Sequence, residues 1–259
     1  MATKNTLDGR YFFLFKGCFF GGLFVYLGIN KIKTVMKNTF LTFITCSIFS
    51  FGIAQTEKQV GDFTKVTAFD KIDVTLIAST ENKIVLTGAN SQEVEVVNKK
   101  GELKIRMPFT KIFNGDAVSA TVYYKKIEGV EANEGSRVAS KDEISAINFD
   151  IICKEGSEIK LLNLKVDRLQ VRVSQGSIIT TKGTVKNQEI VSNSGGKYDG
   201  QDCVTQQTVV TVNAGGMAHV YATDLVAAKT RAGGEIKIYG QPKQINEKKI
   251  AGGTIEQVK

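Results

Sequence analysis

The one histidine of this 259-residue chain, His219, lies twenty residues after Asp199 and eighteen before Lys237. Each of the three stands four residues after a glycine, so a structure that repeats with the glycines would set them side by side. An Asp–His pair at strand spacing is able to do acid–base work, with Tyr221 close by. The competing reading is a solvated ladder of mixed charge, which favours strand pairing slightly and needs no chemistry. The ladder is favoured, because no third group and no enclosing pocket can be identified. Asp199 and His219 therefore stand as weak catalytic candidates only.

Other chemistry finds less support. One His and no Cys-x-x-Cys leave little for a zinc site. Glu134 and Glu155 share a turn position that invites calcium, but the next copies hold Gln175, Ser194 and Ala214, so no ligand column persists. Polysaccharide-cleaving sites need clustered carboxylates or a basic set on neighbouring strands, and none stands out. No cofactor and no metal site is expected.

The elements that position these residues are read from the glycines. Small-residue turns recur at Glu134-Gly135-Ser136, Glu155-Gly156-Ser157, Gln175-Gly176-Ser177, Ser194-Gly195-Gly196, Ala214-Gly215-Gly216, Ala232-Gly233-Gly234 and Ala251-Gly252-Gly253. Their first glycines are spaced by 21, 20, 19, 20, 18 and 19 residues, which is an internal repeat. Three residues after each mark come Val138, Ile159, Ile179, Tyr198, Ala218, Ile236 and Ile255. Five before come Val130, Ile151, Val171, Ile190, Val210 and Ala228, with Glu247 the exception. The position four after the mark is mostly polar. Positions two apart share character and neighbours alternate, which is the period of a strand.

A repeat of about twenty residues made of short strands cannot close its own apolar face. Stacking coils about 4.8 Å apart buries a continuous column of Val and Ile and pairs every strand above and below. The fold class is therefore all-β, a single-stranded β-helix or β-solenoid with coils of about twenty residues. The glycines fit corners that need positive φ or close approach between coils. Residues 129–259 hold the regular glycine-marked coils. Residues 55–128 alternate too, as in Ile72-Asp73-Val74-Thr75-Leu76, but lack the glycine mark, and are expected to form irregular first coils and a cap. Pro108–Ala117, with Asn114-Gly115, reads as a loop, and the coil after the polar stretch Gln241–Lys249 reads as a C-terminal cap.

The register bears on the cysteines. Cys153 and Cys203 are separated by about two and a half coils, about 12 Å along the stack. That exceeds the reach of a disulfide, about 7 Å between Cα atoms, so two buried thiols are expected.

The N-terminal region reads differently. Lys37-Asn38, the apolar run Thr39–Phe51 and Gly52-Ile53-Ala54 form a secretory signal peptide over residues 36–54, cut before Gln55. Phe43-Ile44-Thr45-Cys46 loosely follows a lipoprotein signal, but Thr45 is too large and the chain stays apolar to Ala54. Residues 1–35 read as an over-read extension upstream of a start at Met36, the other reading being a membrane anchor over Tyr11–Ile29. The formal charge of +8 also belongs largely to this leader, which carries six basic residues against Asp8. Residues 55–259 hold 28 basic and 25 acidic groups, intermixed, which argues against a nucleic-acid track.

The string Phe69-Asp70-Lys71-Ile72-Asp73-Val74-Thr75-Leu76, then Gly101-Glu102-Leu103-Lys104-Ile105, then glycine turns near every twentieth residue, resembles the putative auto-transporter adhesin, head GIN domain family of exported Bacteroidetes-type proteins. The resemblance covers residues 60–256 and implies a right-handed β-helix. It brings no catalytic residues. The chain ends at Lys259, soon after the seventh mark, where a self-secreting passenger would continue into a membrane barrel. A free-standing solenoid in the periplasm, on the cell surface or outside the cell is expected.

The leading expectation is an exported, non-catalytic β-helix that presents an extended surface to a glycan, an envelope polymer or a surface protein. It involves no nucleic acid, and meets the membrane only through its leader. One alternative is a periplasmic small-ligand or lipid-binding module, which needs a pocket. Another is a carbohydrate-active enzyme at Asp199 and His219. An exposed aromatic strip, or a groove near the Pro108–Ala117 loop, would favour glycan binding.

Overall fold

A computed structural model describes residues 56–258 apart from 112–113. The leader, the signal peptide and the possible anchor lie outside the described residues. Among the described residues, seventeen strands form one continuous sheet that winds into a β-solenoid.

The regular part consists of β10 (Ile144–Cys153), β11 (Glu158–Val173), β12 (Ile178–Ser192), β13 (Lys197–Asn213) and β14 (Met217–Arg231). Each pairs with the next in parallel, over nearly its whole length. In β11 the buried positions are 159 and 161, then 164 and 166, then 169, 171 and 173. The alternation slips by one residue at 162–163 and again at 167–168. Each slip is a bend, so a coil has three arms, two soft corners and one tight one. Inward Val, Ile and Leu from the three arms fill the interior, each fully buried side chain contributing about 1.5–3 kcal/mol.

The tight corner is the glycine mark. The residue before the first glycine and the glycine itself both have positive φ, as at Ser194 (47°) and Gly195 (73°), and Gly196 N–H donates to Asn193 C=O at 2.9 Å. Two successive left-handed residues closed by that bond make a type I′ turn, the turn usual in hairpins. The two glycines answer different needs. A Cβ on Gly195 would meet nothing within 4 Å, whereas one on Gly196 would lie 2.7 Å from the Val173 carbonyl carbon of the preceding coil.

The N-terminal coils are less regular. The mark is present there without its glycine: Asp70 and Lys71 have φ of 59° and 62°, and Ile72 N–H donates to Phe69 C=O at 3.2 Å. The coils are also stacked out of sequence order. The coil of β2 (Lys65–Ala68) and β3 (Asp73–Ala78) lies between that of β6 (Glu102–Arg106) and β7 (Val118–Tyr124) and that of β8 (Gly129–Ala132) and β9 (Arg137–Ser140). Antiparallel pairing of β1 (Thr56–Gln59) and β7 with β4 (Lys83–Gly88), and of β5 (Glu95–Lys99) with β6, closes this end. Between β6 and β7 the chain makes 3-10 turns at Phe109–Lys111 and Asn114–Ala117, where a loop is expected.

At the other end, β15 (Glu235–Tyr239), β16 (Gln244–Ile250) and β17 (Thr254–Gln257) continue the stack. The polar stretch from Gln241 is thus part of the stack, since β16 pairs along β14.

Candidate functional site

Asp199, His219 and Lys237 occupy one outward column in register, as the glycine spacing requires. The pair is close but not hydrogen-bonded. His219 Nδ1 lies 3.9 Å from Asp199 Oδ1, beyond hydrogen-bond range, and neither His219 Nε2 nor Asp199 Oδ1 has a hydrogen-bond partner. Burial lowers the His219 pKa, and Lys197 and Lys237 push the same way against Asp199 and Glu235. The imidazole is therefore neutral at pH 7. Its ring meets the edge of Tyr239 at a centroid distance of 6.0 Å and an angle of 62°.

Tyr239 leads to a site larger than the pair. It stands opposite Tyr221 in register on the next coil. Tyr221, Thr223, Gly240, Gln241, Gln257 and Val258 line an open recess of about 830 Å³. The recess lies where β15 stops and the chain turns toward β16, beside an irregular corner of β14. The register of β13 and β14 passes directly from Gly200/Val220 to Val204/Tyr221, so β14 lacks the corner residues that β13 has there. Gly240, at φ 81°, lets the backbone pass close to the Tyr221 ring, since a Cβ there would lie 3.0 Å from it and 2.7 Å from Ala222 O. Two half-buried phenol rings beside side-chain amides and a hydroxyl supply apolar faces and hydrogen-bonding groups together.

Beneath this surface runs a polar network inside the core. The fully buried Tyr198 hydroxyl bonds Thr181 Oγ1 at 2.6 Å and accepts a bond from Gln188 Nε2. Gln188 Oε1 lies 3.5 Å from Thr208 Oγ1, which is 2.6 Å from Thr205 Oγ1, and Thr205 in turn donates to Tyr221 C=O at 2.7 Å. The network fixes the backbone of Tyr221 from behind. Sequence reasoning missed Tyr239 and the glutamines. One signal was available, since Tyr221 and Tyr239 both fall six residues after a mark glycine.

The remaining candidates stay apart from this recess. Cys153 and Cys203 are free and buried, as their register requires, and burial raises their pKa values to about 12 and about 11. Both are thiols at neutral pH, not nucleophiles. Glu134 stacks between the equivalent turn residues Asp70 and Glu155, and its pKa is raised by burial and by both neighbouring carboxylates. Asp70 Oδ2 accepts the Met107 N–H at 2.9 Å. Among the described residues no group of three or more His, Cys, Asp or Glu side chains is placed to hold a metal. A second groove of about 440 Å³ borders the loop after β6, lined by Phe69, Glu95, Arg106 and the 89% exposed Phe109 among others.

Solved structures share this fold. A putative adhesin from Bacteroides fragilis superposes with a TM-score of 0.74 at 20% identity, covering 81% of this chain and 98% of that one. A putative adhesin from Parabacteroides distasonis gives 0.67 at 19% identity, and a putative lipid binding protein from the same species 0.61 at 16%, each with the same coverage. At such identities the likeness is one of fold alone. No curated protein matches the sequence. The sequence itself, however, matches a family over residues 62–242, all of the marked coils up to the start of β16. With its fold and most of its length accounted for in this way, the chain belongs to the family described as putative auto-transporter adhesin, head GIN domain.

Proposed function

We propose that the protein is an exported, non-catalytic β-helix whose outer surface binds a glycan or envelope polymer, in an adhesin-type role. The observation that carries this reading is the in-register Tyr221–Tyr239 pair beside a recess lined by Thr223, Gln241 and Gln257. Sugar rings present C–H faces that pack on aromatic rings and hydroxyls that pair with amides, and an open recess suits an internal segment of a long polymer. Catalysis is not part of the reading, because His219 and Asp199 are not hydrogen-bonded to each other and no third group completes them. Family membership supports location at the cell surface or beyond the inner membrane.

The test is a glycan array followed by titration of the best hit. Tyr221→Ala should weaken binding about five- to tenfold, equivalent to about 1–1.4 kcal/mol, and His219→Ala should leave any bound glycan intact, as the parent does. Turnover that disappears in His219→Ala would defeat the non-catalytic reading. Unchanged affinity in Tyr221→Ala would defeat this placement of the site.

A further inference from the structure

The outer face formed by the arm before each glycine mark carries different charge patterns at its two ends. In the N-terminal coils cations and anions alternate: Lys65 Nζ sits 3.3 Å from Glu102 and 2.6 Å from Glu131, and Glu131 also pairs with Lys154 at 3.1 Å. In the C-terminal coils three adjacent strands place Val209, Thr211 and Asn213 against Ala227, Lys229 and Arg231, and these against Asn246, Lys248 and Ile250. This three-by-three grid holds no acid. Lys229 and Lys248 face each other directly, a like-charge pairing that disfavours the sheet, with Arg231 two residues along. Partial desolvation lowers the Lys229 pKa, and the charges of Arg231 and Lys248 push it the same way.

The wider sequence follows the same trend. Residues 225–259 contain seven basic and three acidic side chains, whereas 55–224 contain 21 basic and 22 acidic ones. The net positive charge of the chain after the leader therefore lies in its last coils. Around the cations are a hydroxyl, Thr211, and amides, Asn213 and Asn246. Asn213 Nδ2 donates to Asn193 at 2.6 Å, while its Oδ1 has no partner.

We infer that the Lys229–Arg231–Lys248 grid is a binding surface for an acidic polysaccharide. A polymer that carries carboxylates along one extended chain places several anions against cations that otherwise repel one another. Its hydroxyls meet Thr211, Asn213 and Asn246. The grid lies on a different arm from the recess at Tyr221, and neither site requires the other.

The experiment measures binding of the purified protein to polygalacturonate, with uncharged dextran as the comparison. Polygalacturonate should bind, and binding should weaken steeply with added salt. The Lys229→Gln, Arg231→Gln, Lys248→Gln variant should lose about tenfold or more in affinity and keep or raise its thermal midpoint, since the changes relieve repulsion on an exposed face. A charge-matched variant with Gln at Lys126, Lys182 and Lys186, each paired to a carboxylate, should stay near the parent. Equal losses in both variants would reduce the effect to net charge and overturn the inference, as would no loss in the first. Anionic phosphatidylglycerol vesicles that bind through the grid and are not displaced by polygalacturonate would also overturn it. Glycan binding at Tyr221 is read separately, with uncharged ligands.

Discussion

Tyr198 occupies the column that holds Val138, Ile159 and Ile179 in earlier coils, yet it brings a hydroxyl into the core. The hydroxyl is tolerated because Thr181 and Gln188 meet it. Tyr198→Phe keeps the ring and leaves Gln188 without its acceptor, so a loss of about 1–3 kcal/mol is expected from urea denaturation. The same variant should loosen the backbone at Tyr221, at the far end of the network, which amide exchange would detect. His219 offers a pH test. Its folded pKa is depressed, so its contribution is complete above the unfolded value of about 6.5 and fades as pH falls through the folded value. The thermal midpoint should therefore decline on acidification below about pH 6.5, and His219→Asn should flatten that part of the profile. A profile identical in both proteins would remove His219 from the account.

At the scale of the element, the two glycines of a double mark make separable contributions. Gly195→Ala forces a left-handed alanine into open space and should cost about 1–2 kcal/mol. Gly196→Ala drives a methyl group against the Val173 backbone of the neighbouring coil and should cost more, or change the coil spacing. Equal losses in chemical denaturation would mean that φ alone explains both. The marked coils were legible because the turn repeats its composition as well as its shape. Asp70-Lys71 makes the same turn without a glycine: Asp enters the left-handed region readily, and Lys71 is held there by the stacked turn, its N–H donating to Glu134 C=O at 3.0 Å. Asp199 and His219 were legible as neighbours for the same reason, by counting from the mark. Their separation of 3.9 Å was not, because it depends on rotamers and not on register. The recess was hidden as well, since it lies at the corner between β15 and β16, where no repeated composition marks the chain's path.

The molecule as a whole must end a stack that could in principle continue. At the N-terminal end antiparallel strands close it. At the C-terminal end the core columns of Ala228 and Thr230 are continued in β16 by Glu247 and Lys249, 3.9 Å apart at the margin of the core. Charges at core positions of an edge strand discourage a further coil from adding. Replacing both by Val should leave a soluble fold that self-associates through β16, seen as concentration-dependent dimers in light scattering. A variant that stays monomeric at high concentration would show that the pair is not what ends the stack. The order of the N-terminal coils has a kinetic consequence. Read from its N-terminus, the chain makes β2 and β3 before either of the coils that flank them, the outer one ending at Tyr124 and the inner one at Ser140. The solenoid therefore cannot zip up from its leading end. β3 has no strand partner before β7, so that stretch stays open to misfolding or proteolysis until Tyr124 has been made.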